Sequence, residues 1–313
     1  MKILVTGAVG FIGSHTSERL QKLGHQVIGV DNFSPYYSEE LKKLNEKALN
    51  DLGISVLQLD LREANLIEKL PTDVEYIFHY AAQPGISSTS TFEDYFSNNI
   101  IATKNLIDYA LQLPNLKMFV NIGTSSIYGL EATYPEERAP KPASHYGVTK
   151  LAAEQLVLQK SREKQMKGCS LRLYSVIGPR ERPEKMYTKL IANGLNDEAF
   201  PLFEGSDKHL RSFTYVGDIV DGVVSVIGKE SQVDGEVINL GTEVEHTTQE
   251  GIEAVEKVLG KQIEINVIPK RPGDQLRTKA NIDKARKLLD YNPQTTLLEA
   301  VEQQVAWYKK YFS

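Results

Sequence analysis

The stretch Lys2-Ile3-Leu4-Val5-Thr6-Gly7-Ala8-Val9-Gly10-Phe11-Ile12-Gly13 decides how the rest of the chain is read. An apolar, β-branched run enters three glycines spaced G-x-x-G-x-x-G, and a helical pattern from Ser14 to Leu23 follows. The order is strand, tight turn, helix. Gly7 allows a sharp turn off the strand, Gly10 lets a pyrophosphate approach the backbone, and Gly13 lets helix and strand pack closely, with the helix N-terminus facing the anion. Alone, such a triplet is as readily a structural turn. A second strand, Gln26 to Val30, ends at Asp31, where a carboxylate accepts hydrogen bonds from an adenosine ribose diol and repels a 2′-phosphate. Turn and acid together predict NAD as cofactor, in preference to NADP.

The 313 residues can bury a sizeable core and suit one large α/β unit or two lobes. The net charge of -5 comes without a basic block or aromatic-basic interleaving, so no nucleic-acid partner is expected. Cys169 is the sole cysteine, which rules out an intrachain disulfide and a Cys-built metal site and points to a reducing compartment. The N-terminus runs straight into a core strand, and no apolar run approaches membrane-spanning length. A cytoplasmic protein with no membrane partner and no metal is the expectation.

Strand and helix patterns alternate from the start, which predicts an α/β fold with a parallel sheet and helices on both faces. A polar loop, Asn32 to Tyr37, precedes a charged helix from about Ser38 to Asn50. Strand three, near Ser55 to Leu59, ends in Asp60-Leu61; Asp60 either meets the adenine amino group or caps a following helix. The run Val74 to Ala82 is a buried strand leading into the breakers Gln83-Pro84-Gly85. His79 within it reads as a packed core residue, not a ligand. A long helix from about Phe92 to Leu113 carries Asn98-Asn99, and strand five, Lys117 to Ile122, opens into Gly123-Thr124-Ser125-Ser126-Ile127-Tyr128-Gly129. A Pro-rich loop, Leu130 to Ser144, leads to a helix His145 to Lys167 and strand six, Cys169 to Tyr174. Beyond Ser175 the rhythm loosens. Residues 1–175 are expected to form the nucleotide-binding domain and 176–313 mainly a smaller substrate lobe. Strands near Arg211 to Val216, Val237 to Leu240 and Ile263 to Ile268 suggest segments returning to the first domain.

Tyr146-Gly147-Val148-Thr149-Lys150 sets a phenol and an ammonium one helical turn apart on one face. With 15 tyrosines in the chain, roughly one such Tyr-x-x-x-Lys pair arises by chance. Position gives this one meaning: it opens the helix after strand five, facing the crevice at the carboxyl ends of the strands. Lys150 and an oxidised nicotinamide both favour the phenolate, and Thr124 can hydrogen-bond the same substrate oxygen.

GAVGFIGSH, Asp31, TSSIYG and the Tyr146/Lys150 pair resemble the extended short-chain dehydrogenase/reductases, and more narrowly the nucleotide-sugar epimerases and dehydratases. The resemblance spans nearly the whole chain. It implies a Rossmann-type doubly wound sheet with a C-terminal substrate lobe, a catalytic triad of Thr124, Tyr146 and Lys150, and a homodimer built through the helices at 92–113 and 145–167. Around the glycine turn, Phe11 and Ile12 join the expected cofactor contacts, with Asn32 beside Asp31. Leu61 beside Asp60, Ala81, Ala82 and Asn99 complete that set.

Within the family, 4,6-dehydratases carry Asp-Glu just after the threonine and UDP-glucuronate decarboxylases a glutamate in that segment. This chain has Ser125-Ser126, neither a general acid nor base near neutral pH. The reaction that remains is 4-epimerisation of a UDP-sugar through a 4-keto intermediate, with Ser125 beside the substrate. Arg211-Ser212-Phe213-Thr214-Tyr215-Val216-Gly217-Asp218 and Arg271-Pro272-Gly273-Asp274 resemble the family's R-D-F-x-Y-V-x-D and R-x-G-D. Arg211 and Arg271 would neutralise the diphosphate or else form surface ion pairs, and Asp274 would bind the uridine ribose. Phe203 would contact the uracil or pack in the core. The segment from Leu173 to Pro183 resembles the F-F-T-V-Y-G-P-R-Q-R-P of UDP-glucuronate 4-epimerases, so Ser175 and Arg182 could address a C5 carboxylate. Those enzymes usually carry an arginine where this chain has Ser87. UDP-glucose and UDP-N-acetylglucosamine stay open as sugars, and a 4-ketosugar reductase or a silent NAD-sensing protein as other functions.

Overall fold

The computed structural model describes residues 1–85, 89–270 and 275–312. Seven parallel strands form its central sheet: β1 (Lys2–Thr6), β2 (Gln26–Asp31), β3 (Ser55–Gln58), β4 (Tyr76–His79), β5 (Met118–Thr124), β6 (Gly168–Leu173) and β7 (Val237–Leu240). Their order is 3-2-1-4-5-6-7. Every pairing is parallel, from β1 with β2 to β6 with β7. Strand order reverses between β1 and β4, and a doubly wound sheet opens its binding crevice at such a switch, beyond the carboxyl ends of the strands.

Burial on both faces explains the continuous apolar character of these strands. Ile3, Val5, Phe78 and Val120 pack on one side, and Leu4, Ile77 and Phe119 on the other, all fully buried. Each such side chain contributes on the order of 2 kcal/mol. A third core joins Tyr187, Leu190 and Ile191 to Val255, Val301 and Val305. It welds helices Met186–Asn196, Thr248–Leu259 and Leu297–Phe312 into the second lobe.

Several elements differ from the sequence reading. Helix Phe11–Lys22 begins three residues earlier than expected, directly off Gly10. The long helix keeps helical backbone from Phe92 to Ala110, but Phe96–Ile101 is wound as π-helix. The expected strand Arg211 to Val216 divides: Leu210–Arg211 and Thr214–Tyr215 join different small sheets, and Val216 already starts a helix. No described helix is long and apolar enough to cross a membrane.

Candidate active site

A cavity of about 760 Å³ runs from the glycine turn, past the ends of β4 and β5, to the second lobe. Backbone geometry shapes its floor. Gly7 has φ +67, where a Cβ would come within 2.8 Å of the Ala81 nitrogen, and a Cβ on Gly13 would collide with the Gly7 carbonyl oxygen. These contacts require glycine, and they seat the helix N-terminus against the strand. Gly7, Gly10 and Gly13 line the cavity with Phe11, Ile12, Asn32, Leu61, Ala81 and Ala82.

Asp31, at the end of β2, closes one end of the cavity. Its carboxylate accepts hydrogen bonds from the amides of Phe33 at 2.9 Å and Val9 at 3.3 Å. Burial pushes its carboxyl up, and Lys42 is the largest opposing pull. The buried Lys42 donates to the Ser34 carbonyl at 2.5 Å and lies 4.7 Å from the Tyr37 ring centroid. Tyr37 in turn places its hydroxyl 3.8 Å from where a Cβ on Gly10 would be. Lys42 and Tyr37 both line the cavity. Neither was legible as a site residue, because one lysine in a charged helix and one tyrosine in a polar loop carry no spacing signal.

Asp60 lines the cavity beside Asn32, whose amide donates to it at 3.2 Å. A turn follows it, not a helix, so it caps nothing. The Arg62 guanidinium, 2.6 Å away, holds its carboxyl down at about 2. Asn99 is placed differently from the cofactor wall on which the sequence reading set it. It is buried in the π-wound stretch, accepting from the Gln83 amide at 2.7 Å and donating to Thr149 at 3.0 Å, while Asn98 lines the cavity. Asn99 thus ties the loop after β4 to helix His145–Arg162. His79 is a core residue bonded to Thr6 at 2.7 Å and Thr103 at 2.8 Å, its imidazole held near 3 by burial and then by Lys150.

The catalytic candidates converge. Thr124 ends β5, its hydroxyl accepts from the Ser126 amide at 3.2 Å, and it lines the cavity together with Tyr146. Ser144 caps the next helix by accepting from the Gly147 amide at 3.1 Å. A Cβ on Gly147 would approach the Ser126 oxygen to 2.8 Å, so glycine lets the helix end press onto the turn after β5 and carry Tyr146 to Thr124. Burial pushes the Tyr146 phenol above its ordinary value; the neighbouring Thr124 side chain is the largest opposing pull, followed by Arg182. Lys150, buried one turn on, is brought down to about 8 by burial against the upward pull of Glu154.

Ser125, just after β5, and Ser175, just after β6, line the cavity, as do Arg182, Phe203 and Arg211 from later in the chain. The chain just before Arg182 is pinned by contacts at Gly178, Pro179 and Arg180. His15 meets the Pro179 carbonyl at 2.9 Å, Arg180 pairs with Glu18 at 2.6 Å, and the Gln304 side chain accepts from the Gly178 amide at 3.1 Å. Leu202 packs on the lobe's core and, with its strand neighbour Phe203, also lines the cavity. Arg211 donates to the carbonyls of Leu210, at 3.0 Å, and Gln275. Arg271, Asp274 and Ser87 lie outside the described residues.

The cradle fits a dinucleotide. Close backbone at the glycine turn, a helix N-terminus behind it, a buried acid at the end of β2 and a buried lysine beside the tyrosine are the contacts that NAD needs. A Bacillus subtilis protein named as an uncharacterized UDP-glucose epimerase is 36% identical over 318 residues, 98% of each chain. UDP-glucuronate 4-epimerase 1 of Arabidopsis thaliana is 32% identical over 333 residues, covering all of this chain and 77% of that one. Among solved structures, the Bacillus cereus UDP-glucuronic acid 4-epimerase in complex with UDP-glucuronic acid and NAD matches with a TM-score of 0.93 at 34% identity over the whole of both chains. The family profile matches residues 3–241, and with glycine turn, Asp31, Thr124, Tyr146 and Lys150 gathered in one cavity, the chain belongs to the NAD-dependent epimerase/dehydratase family.

Proposed function

We propose that this chain is a UDP-sugar 4-epimerase, that its substrate is UDP-glucuronate or its C4 epimer UDP-galacturonate, and that it holds NAD throughout. The observation that carries the reading is the gathering of Thr124, Tyr146 and Lys150 in a cavity that also contains the glycine cradle and Arg182. Asp31, Lys42 and Lys150 would hold NAD at its two riboses, with the glycine turn at the pyrophosphate. When bound, NAD supplies a reversible two-electron oxidation at C4.

Thr124 orients the C4 hydroxyl, and ionised Tyr146 accepts its proton and later returns it to the same oxygen on the opposite face of the sugar. The positive charges of Lys150 and Arg182 favour the phenolate that burial disfavours. Ser125 and Ser126 cannot carry a proton at C5, so the transient ketone is neither eliminated nor decarboxylated but only turned over. Ser175 and Arg182 would bind the C5 carboxylate, and Arg211 with Arg271 the diphosphate. UDP-glucose is the second reading, favoured by the Bacillus subtilis relative.

Two further readings follow from the same residues. The second lobe begins at about residue 176, with β7 returned to the nucleotide-binding sheet. Exposed Phe92 and Phe96, stacked 6.1 Å apart, and exposed Val148 on the neighbouring helix leave an apolar face suited to a homodimer of a cytoplasmic enzyme. Incubating purified protein with UDP-glucuronate, UDP-glucose and UDP-N-acetylglucosamine without added cofactor tests the function. Equilibration of UDP-glucuronate with its C4 epimer supports the proposal, and turnover of a neutral sugar alone overturns the choice of substrate.

A further inference from the structure

Arg182 is a poorly hydrated cation with one charged neighbour in direct contact among the described residues. Its side chain is 11% exposed, its Nη2 lies 3.1 Å from where a Cβ on Gly85 would sit, and its guanidinium is 5.8 Å from the Tyr36 ring centroid. Glu184, two residues on and itself lining the cavity, brings Oε1 to 2.8 Å from Nη1. That contact is close yet poorly aligned: Nη1 is buried without an acceptor in hydrogen-bonding geometry among the described residues. Glu184 is also 47% exposed, so water can take over its carboxylate.

A buried guanidinium is stabilised only by a nearby anion, and a planar carboxylate presented in line binds it better than one held askew. A sugar carboxylate entering the cleft offers that geometry, and a half-hydrated Glu184 can leave at little cost. A neutral sugar offers no charge, so Glu184 must stay. We propose that Glu184 is the exchangeable counter-ion of Arg182, displaced by acidic sugars and retained with neutral ones, and that it thereby sets how strongly the cleft distinguishes the two. The proposal rests on the reading above, in which Arg182 receives the C5 carboxylate.

The test is a cycle of Glu184→Gln, Arg182→Ala and the double variant in NAD-loaded protein, read as kcat/KM on UDP-glucuronate and UDP-glucose. Calorimetric titration of UDP-glucuronate and of UDP into each variant carrying Tyr146→Phe, which blocks turnover, gives binding directly. Glu184→Gln is expected to tighten UDP-glucuronate and weaken UDP-glucose, each by about fivefold, the scale of a half-exposed ion pair. UDP affinity and kcat should hold, Glu184→Asp should keep the parent ratio, and the effect should vanish in the Arg182→Ala background. An unchanged ratio in Glu184→Gln while Arg182→Ala lowers it overturns the counter-ion and leaves the acidic-sugar reading standing. An unchanged ratio in Arg182→Ala overturns both.

Discussion

Thr124, the last residue of the central strand β5, and Tyr146, the second residue of the following helix, stand together on the wall of one cavity, where the threonine offsets part of the rise that burial gives the phenol. A sheet and a helix N-terminus therefore fix two oxygens where, under the proposed reaction, a sugar hydroxyl loses and regains a proton. Tyr146→Phe removes the proton carrier and keeps the ring packing against Tyr95, 6.2 Å away. It should lower kcat by about 10²- to 10⁴-fold with little change in Tm. Thr124→Val should lose less, because the tyrosine stays. Stopped assays with thermal melts check both.

Behind Lys150, Glu154 and Arg172 form a buried ion pair with a 2.6 Å contact, at 1% and 3% exposure. Ser170 donates to Glu154 at 2.9 Å, and Arg172 donates to the Tyr128 hydroxyl at 2.7 Å. Glu154→Gln leaves a buried guanidinium without its anion and should destabilise the fold by about 3–5 kcal/mol. Denaturant titration measures this. The same change removes the upward pull on Lys150, so the alkaline limb of the kcat/KM profile, where Lys150 loses its proton, should move to lower pH.

Much of this site could be read before any coordinates, and the physical reason is locality. The glycine turn, Asp31 at a strand end, Thr124 at another and the Tyr146/Lys150 pair are each set by neighbours within one turn or strand. What escaped reading depends on contacts across the chain. Lys42 and Tyr37 reach the cradle only through the path of the loop after β2, and Glu184 matters only because Arg182 is buried beside it. Asn98, and not the expected Asn99, lines the cavity, in a stretch wound as π-helix where the helical spacing of side chains no longer holds. The strand expected from Arg211 to Val216 broke because its two ends pair with different partners.

Glu181 offers a test of linkage. It is buried, accepts from Gln304 at 2.8 Å and from Thr188, and burial raises its carboxyl to about 7. An acid whose folded value lies above its unfolded value of roughly 4.3 keeps more protons folded than unfolded in that window. Stability should therefore fall as pH rises from about 4.3 to about 7. Glu181→Gln should abolish that slope, gaining up to about 3 kcal/mol relative to the parent above it. Paired unfolding curves at pH 5 and pH 8 check the sign.

Asp31 tests the cofactor end. Asp31→Ala removes the carboxylate at the close of β2 and leaves buried Lys42 without its neighbour. Affinity for NAD should fall at least about tenfold, and protein purified by gel filtration should lose cofactor that the parent retains. Absorbance of the denatured supernatant measures it.

The most direct measurement follows UDP-glucuronate deuterated at C4 with purified protein and no added cofactor, by proton NMR. The expected result is a C4 epimer that keeps its deuterium, since the electrons removed at C4 return to the same carbon while only the Tyr146-borne proton moves between oxygen and side chain. Absence of the C4 epimer, or an epimer whose C4 label has exchanged with solvent, would contradict the mechanism.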